Sequence, residues 1–184
     1  KVGLVTGAAT GIGEGVARTL HAAGMKVAVA DVNGEGVRAL ADDLGEGCKG
    51  YELNVTDAAG VEACVADVED SLGPIHGLAH VVGIQRFGPI AEMSEADFQV
   101  TFDVNVKGAF LVAQAVAKRM IPRENGSIVA IASTAARTPR IGQGAYCGSK
   151  AAVAQLMCVA GLELAPKNIR VNCVSPGVTE TGMV

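Results

Sequence analysis

The stretch KVGLVTGAATGIG, residues 1–13, decides the fold of this chain. Its first six residues are mostly apolar and include β-branched side chains, which favours a buried strand. The glycines Gly7, Gly11 and Gly13 follow. The run GEGVARTLHAAG, residues 13–24, then has helical periodicity and ends in Gly24, a helix stop signal. The stretch therefore predicts a strand that passes through a glycine-rich turn directly into a helix.

The same alternation of strand and helix continues along the chain. Strands are predicted at residues 1–6, 26–31, 48–55, 75–83, 126–133 and 169–177, and helices at residues 13–24, 34–45, 57–73, 94–120 and 144–165. The strands are nearly continuous apolar runs, which is typical of a parallel sheet covered by helices on both faces. We predict an α/β fold with a doubly wound parallel sheet, strand order 3-2-1-4-5-6, in a single domain spanning residues 1–184. The ligand cleft should lie at the carboxyl ends of the strands, near the reversal between strands 1 and 4.

Composition and charge exclude several classes of function. Hydrophobic residues make up 49% of the 184 residues, but aromatics only 3%, so the core must be built from Val, Ala, Leu and Ile. The net charge is -4, and Lys and Arg form no cluster, which argues against nucleic acid as a partner. We expect no apolar stretch long enough to cross a membrane. The first residues are typical of a strand and not of a signal peptide.

Cysteine and histidine contents indicate neither disulfides nor a metal site. The chain has five cysteines and no C-x-x-C pair, which favours small buried side chains in a reducing cytoplasm. His76 and His80 lie in the same predicted strand, roughly 13 Å apart and too far to share a metal ion. We therefore predict no metal site.

The glycine-rich turn and the residues after strand 2 indicate a dinucleotide site. Glycines in such a turn let the backbone approach a pyrophosphate, whose charge meets the helix N-terminus; Thr10 and Ile12 lie in the same turn. A tight turn without a ligand is the alternative interpretation. Strand 2 ends at Asp31, followed by Val32. An acidic side chain there can accept hydrogen bonds from ribose hydroxyls and repel a 2′-phosphate, so we expect NAD rather than NADP. Asp31 could instead cap the following turn, and both roles could hold.

Strands 3 and 4 should supply further cofactor contacts. Asn54 and Val55 end strand 3 and are predicted on the adenine side, with Thr56 or Asp57 capping the next helix. Gly83 ends strand 4, where a backbone must come close to the cofactor.

Several motifs in order along the chain resemble the short-chain dehydrogenase/reductase family. They are Thr6-Gly7-x3-Gly11-x-Gly13, Asn105 in VNVKG, Ser133, Tyr146-x3-Lys150, and the SPG run at residues 175–177. The resemblance extends over essentially the whole chain and implies a Rossmann fold with a nicotinamide cofactor. Tyr146 and Lys150 stand four residues apart, on one face of a helix, a spacing that many helices without a catalytic role also have.

The resemblance assigns roles to these residues. Tyr146 would be the general acid/base, Ser133 would hold the reacting oxygen, and Lys150 would stabilise the phenolate and hold the nicotinamide ribose. Asn105 would hold a water that passes protons from Lys150 to solvent. Further nicotinamide contacts are implied for Pro176, Gly177 and Thr179.

Two stretches, STAARTPRIGQGAY and GLELAPKNIRVNCVSPGVTETGM, are similar to one subfamily, the dehydrogenases that oxidise 2,3-dihydro-2,3-dihydroxybenzoate with NAD in siderophore precursor synthesis. This implies a carboxylated substrate, for which Arg140 offers a bidentate fork. Arg86 and Arg137 are alternative candidates for binding this carboxylate, and Arg140 could also be a solvated loop residue. Gln143 is assigned to the same substrate side.

The chain departs from the family pattern in two places. The family usually has Asn-Asn-Ala-Gly after strand 4, whereas this chain has His80-Val81-Val82-Gly83, and His80 is predicted to be structural. The chain also ends at Val184, before the substrate-covering helix and seventh strand that members usually carry. The resemblance implies a cytoplasmic homotetramer acting on a small molecule. The alternatives are another NAD-dependent dehydrogenase for a secondary alcohol or cis-diol, or a non-catalytic NAD-binding subunit.

Overall fold

A computed structural model describes residues 1–179 and contains one six-stranded parallel sheet. The strand order is β3-β2-β1-β4-β5-β6, and every neighbouring pair runs parallel. The predicted doubly wound α/β fold and its strand order are therefore confirmed. The strands are β1 (Val2–Thr6), β2 (Lys26–Asp31), β3 (Cys48–Glu52), β4 (Ile75–His80), β5 (Gly126–Ile131) and β6 (Ile169–Val174).

Three of the helices begin at a polar side chain that caps them. Asn33, Asp57 and Ser94 each accept a hydrogen bond from a backbone N–H in the first turn of the helix that follows. Asp57, rather than Thr56, therefore caps the helix after β3. The helices are α1 (Gly11–Ala22), α2 (Gly34–Leu44), α3 (Ala58–Leu72), α4 (Glu95–Phe102), α5 (Gly108–Met120) and α6 (Gly144–Leu164).

The long helix predicted for residues 94–120 contains a π-helical segment. Asp103–Lys107 joins α4 to α5 with the wider i→i+5 geometry. Such segments are rare and occur frequently at functional sites. This one carries Asn105, whose side chain is buried.

Helices cover both faces of the sheet, and successive side chains along each strand point to opposite faces. On β1, Val5 packs with α1 and α2 on one face. Its neighbour Leu4 packs with α3, α5 and α6 on the other. Both side chains are fully buried. This two-sided burial explains why the strands are continuous apolar runs in sequence.

Two helical stretches are long and apolar enough to span a membrane by length and composition, Glu95–Arg123 and Gly144–Lys167. The expectation that no stretch reaches this length is therefore wrong. The core helices of a soluble protein satisfy the same criterion. Here both stretches pack on the sheet, and both carry side chains of the site described below.

Candidate active site

A cleft of about 620 Å³ lies at the carboxyl ends of the strands, where the sheet order reverses. It brings together most of the side chains predicted from the sequence. Two predicted residues, Gly13 and Asn105, lie outside its lining. The predicted residues that line it are Gly7, Thr10, Gly11, Ile12, Asp31, Val32, Asn54, Val55, Gly83, Ser133, Arg140, Gln143, Tyr146, Lys150, Pro176, Gly177 and Thr179.

The glycine-rich turn forms one end of the cleft. Gly7 and Gly11 have φ angles of 74° and 60°, which side chains rarely adopt. A Cβ on Gly13 would collide with the carbonyl oxygen of Gly7, so Gly13 allows the turn to pack against its own helix. Helix α1 starts in this turn, and the side chain of Thr10 does not cap it. The first-turn N–H groups therefore need another partner, which an anion in the cleft can supply.

Asp31 lies in the cleft, and its side chain also holds the turn that follows β2, as the second interpretation predicted. One carboxylate oxygen accepts from the Ala9 N–H at 3.2 Å, and the other accepts from the Asn33 N–H at 3.0 Å. Each oxygen can accept a second hydrogen bond. The bond to Ala9 fixes the carboxylate relative to the glycine-rich turn.

The end of β3 contributes Asn54 and Val55. The Asn54 side-chain oxygen accepts from both the N–H and the hydroxyl of Thr56, at 3.0 and 2.9 Å, which fixes this loop. Val55 is 5% exposed and belongs to the core. The wall of the cleft at this end is therefore rigid.

Tyr146 and Lys150 lie on the first two turns of α6, beside the end of β5. The Lys150 Nζ donates to the carbonyl of Ile131 at 2.8 Å and lies 5.9 Å from the centre of the Tyr146 ring. Lys150 is 3% exposed, and burial lowers its pKa to about 8.

Ser133 begins a short 3₁₀ turn directly after β5. Its Oγ accepts from the Ala135 N–H at 3.1 Å. Because this contact uses the oxygen as an acceptor, the hydroxyl proton remains available for a ligand in the cleft.

The Asn105 side chain clamps the backbone at Ile84. Its Oδ1 accepts from the Ile84 N–H at 2.7 Å, and its Nδ2 donates to the Ile84 carbonyl at 2.9 Å. The same Nδ2 donates to Ser149 Oγ at 2.9 Å, and Ser149 donates to the carbonyl of Tyr146. The amide protons are both used, so only the remaining lone pair of Oδ1 or the main-chain carbonyl is left for a water.

Gly83 leaves space that Lys150 and Asn105 share. A Cβ on Gly83 would stand 2.9 Å from Lys150 Nζ and 3.5 Å from Asn105 Oδ1. A side chain at this position would therefore displace the end of Lys150.

His80 ties the two central strands together. It is 2% exposed, and its Nδ1 lies 2.8 Å from the Thr6 hydroxyl on β1. Burial, and then the charge of Lys150, lower its pKa to about 3, so the ring is neutral at physiological pH. These contacts are those of a structural histidine.

Arg140 is the arginine that the structure places in the cleft. Its guanidinium lies 3.4 Å from the Thr134 hydroxyl and forms no ion pair with an acidic residue among residues 1–179. Arg86 instead pairs with Asp97 at 3.5 Å, and Arg137 is exposed and outside the cleft lining. Of the three arginines that the sequence left as candidates to bind a substrate carboxylate, Arg140 is therefore the one that lines the cleft.

The remaining wall follows β6. The carbonyl of Pro176 accepts from the Thr134 N–H at 3.0 Å, which joins this segment to the loop after β5. Gly177 and Thr179 line the cleft. Residues 180–183, the end of one stretch that resembles the subfamily, lie outside the described residues.

Nine residues of the cleft lining were not assigned to the site by sequence analysis, and two of them are Gln85 and Phe87. Both follow Gly83 in the loop after β4. Their position in the sequence could have identified them, since the residues that directly follow a parallel strand line the cleft. The loop is joined to the Arg140 loop by a bond from the Gly88 N–H to the Gly142 carbonyl at 2.9 Å.

Comparison with known proteins agrees with this geometry. A model of the short chain dehydrogenase family matches residues 1–184. The 2,3-dihydro-2,3-dihydroxybenzoate dehydrogenase of Bacillus subtilis (strain 168) is 42% identical over 186 residues, covering 100% of this chain and 71% of the relative. A D-threitol dehydrogenase of Mycolicibacterium smegmatis is 40% identical, covering 98% and 71%. A 3-oxoacyl-[acyl-carrier-protein] reductase of Thermotoga maritima is 38% identical, covering 100% and 76%. The chain is therefore an oxidoreductase and belongs to the short-chain dehydrogenase/reductase family.

Proposed function

We propose that this protein oxidises 2,3-dihydro-2,3-dihydroxybenzoate to 2,3-dihydroxybenzoate with NAD, a step that makes a siderophore precursor. The observation that carries the proposal is Arg140, a guanidinium without an acidic partner among residues 1–179, in the same cleft as Ser133 and Tyr146. A free guanidinium beside the reacting groups suits a substrate carboxylate. The name of the Bacillus subtilis relative supports the same substrate.

The residues at the glycine-rich end fit a dinucleotide. The turn without side chains at Gly7 and Gly11 and the uncapped start of α1 suit a pyrophosphate. The spare lone pairs of Asp31 suit both ribose hydroxyls, and its charge disfavours a 2′-phosphate, which supports NAD over NADP. When bound, the nicotinamide ring supplies the acceptor for the substrate's hydride. Asn54, Val55 and Gly83 would border the adenosine and nicotinamide halves, and Pro176, Gly177 and Thr179 would enclose the ring.

The chain's own residues would move the proton. Oxidation removes a hydride from the carbinol carbon and a proton from its hydroxyl, and the Tyr146 phenolate takes that proton. Lys150 stabilises the phenolate, and the bond to Ile131 leaves two of its N–H groups for the ribose and for proton exchange. Ser133 donates its free proton to the reacting oxygen. The ketone that results becomes aromatic by tautomerisation. In this proposal Asn105 serves mainly to hold Ile84 and Ser149 in place, and a proton-relay water would use its remaining acceptor.

Arg140 provides the test of substrate class. We expect the full-length enzyme to have a lower KM for the carboxylated diol than for the same ring without a carboxylate. A charge-assisted bond is worth about 1.5–3 kcal/mol, so Arg140→Ala should raise the KM for the carboxylated diol by about 10- to 100-fold. The KM for the other diol and the affinity for NAD should not change. Arg137→Ala, in the same loop but outside the cleft, is the matched control and should alter neither KM.

A second candidate substrate is a neutral polyol. The D-threitol dehydrogenase at 40% identity supports it, since that relative is named for a substrate without a carboxylate. Equal KM values for the two diols in the unmodified enzyme would contradict the dihydroxybenzoate proposal and favour the polyol.

We also propose that the enzyme is a cytoplasmic homotetramer. Helix α6 carries exposed apolar side chains at three-residue spacing, Leu156, Val159 and Leu162, which supports burial against another subunit. All five cysteines are unpaired, which supports a reducing compartment. Light scattering on the full-length protein tests the assembly, and a monomeric mass would contradict it.

A further inference from the structure

The Arg140 guanidinium has one hydrogen-bond partner among residues 1–179, the hydroxyl of Thr134. Arg140 Nη2 donates to Thr134 Oγ1 at 3.4 Å. Arg140 lines the cleft, whereas Thr134 lies outside its lining. The Thr134 hydroxyl can therefore influence a ligand in the cleft through the arginine.

Backbone hydrogen bonds hold Thr134 in place. It is the first residue of the 3₁₀ turn after β5, directly after Ser133. Its N–H donates to the carbonyl of Pro176 at 3.0 Å, and its own carbonyl accepts from the N–H groups of Arg137 and Thr138 at 3.1 and 2.9 Å. The hydroxyl thus projects from backbone that is fixed to the segment after β6 and to its own turn. A group on such a support can orient a neighbouring side chain.

The Arg140 side chain has more freedom than the backbone that carries it. The Arg140 carbonyl accepts from the Gln143 N–H at 3.2 Å, which fixes the loop beside α6. The side chain itself is exposed, and an exposed arginine loses many rotamers when it binds a ligand. A hydrogen bond that already holds the guanidinium reduces the entropy that is lost on binding.

The contact with Thr134 leaves the guanidinium able to bind a carboxylate. A guanidinium has five N–H donors, and Thr134 accepts from one of them. The four that remain are sufficient for two parallel bonds to the two oxygens of a carboxylate. Thr134 and a carboxylate can therefore be bound at the same time.

We propose that Thr134 is a positioning residue that holds the Arg140 guanidinium toward the cleft, where it receives the carboxylate of the substrate. This rests on the proposed function, in which Arg140 binds that carboxylate. Because Thr134 acts through the arginine, loss of its hydroxyl should weaken carboxylated ligands and leave neutral ones unchanged.

The test compares two ligands that differ only by the carboxylate. Calorimetry measures the Kd of 2,3-dihydroxybenzoate and of catechol for the full-length enzyme saturated with NADH. Thr134→Val keeps the branched shape and removes the hydroxyl. It should raise the Kd of 2,3-dihydroxybenzoate by about three- to tenfold, the range expected for one hydrogen bond. The Kd of catechol and that of NADH should not change.

Three further variants keep this result interpretable. Thr134→Ser retains the hydroxyl and should bind 2,3-dihydroxybenzoate within about twofold of the unmodified enzyme. Thr134→Ala also removes the hydroxyl and takes the place of Thr134→Val if that variant fails to fold. Thr138→Val is the matched control, because Thr138 is exposed in the same loop and outside the cleft lining, and it should change none of the three affinities.

A double-mutant cycle shows whether Thr134 acts through Arg140. Arg140→Ala removes the guanidinium that the hydroxyl holds. In that background Thr134→Val should have no further effect, so the Kd of 2,3-dihydroxybenzoate should stay within about twofold. A residue that only stabilises the loop would instead weaken both ligands, with or without the arginine.

The outcomes separate this inference from the proposed function. If Arg140→Ala weakens 2,3-dihydroxybenzoate but Thr134→Val does not, the inference is overturned while the proposed function stands. It is equally overturned if Thr134→Val weakens catechol as much, if its effect persists without Arg140, or if Thr134→Ser fails to restore binding. If Arg140→Ala has no effect on 2,3-dihydroxybenzoate, the proposed function fails and the inference fails with it.

Discussion

Replacing the buried Lys150 by Met should stabilise the protein while it removes activity. Burial lowers the pKa of Lys150 from 10.5 to about 8, which corresponds to about 3 kcal/mol against the charged form. Losing its bond to the Ile131 carbonyl offsets about 1 kcal/mol of this. At about pH 7, Lys150→Met should therefore raise the free energy of unfolding by about 2 kcal/mol. Turnover should be lost, since the proposed mechanism needs the charge of Lys150 beside Tyr146.

The gain in stability should depend on pH in a defined direction. The pKa of Lys150 is lower in the folded state than in the unfolded state. Below about pH 8 both states are protonated, and the folded state bears the whole unfavourable free energy of the buried charge. Between about pH 8 and 10.5 the folded protein releases the proton while the unfolded chain keeps it, so the unmodified protein gains stability relative to the variant. The advantage of Lys150→Met should therefore shrink across this range and vanish above it.

Urea unfolding of the cofactor-free, full-length protein, followed by circular dichroism, measures this difference. The unmodified protein and Lys150→Met are compared at about pH 7 and at about pH 10.5. Lys118→Met is the matched control, because Lys118 is an exposed lysine paired with Glu62, and it should change stability by less than about 1 kcal/mol at either pH. If Lys150→Met were destabilising at about pH 7, or its effect were the same at both pH values, the burial argument would be refuted.

Two other substitutions test the cofactor end and the lysine's surroundings. Asp31→Ala should narrow the preference for NAD over NADP, since it removes both an acceptor for ribose hydroxyls and a repulsive charge. Calorimetry with each cofactor measures the two affinities. Equal affinities of the unmodified enzyme for NAD and NADP would contradict the role of Asp31. Gly83→Ala should lower kcat with little change in Tm, because its Cβ would stand 2.9 Å from the flexible end of Lys150 and displace it. A large fall in Tm with kcat intact would show that Gly83 serves the backbone instead.

The sheet could be predicted from sequence because each strand is buried on both faces and therefore apolar throughout. The residues at which the strands end could not be predicted in this way. Residues 81–83 continue the apolar run of β4 but leave the sheet at His80 to form the floor of the cleft. Apolar character does not show where strand pairing ends: the Val81 N–H still bonds to the Thr6 carbonyl on β1, but the strand ends at His80, so the predicted strand 75–83 is three residues too long.

The glycine-rich end of the cleft could be predicted because glycines and an acid at fixed spacing are local signals. The opposite end, near Arg140, depends on contacts between distant residues. Asn105 meets Ile84 and Ser149, 21 and 44 residues away in sequence, and the π-helical segment that presents it has no sequence signal. The pairing of Arg86 with Asp97, which leaves Arg140 to the cleft, and the unpaired amide of Gln85 likewise appear only once the loops are packed.

In the proposed function Tyr146 transfers the proton, and the cleft binds the cofactor without help from the Tyr146 hydroxyl. Tyr146→Phe in the full-length enzyme keeps the ring and removes only the hydroxyl. NAD affinity should stay within about twofold, and kcat for the diol should fall by about 100-fold or more. A variant that keeps most of its kcat with unchanged NAD affinity would contradict the account.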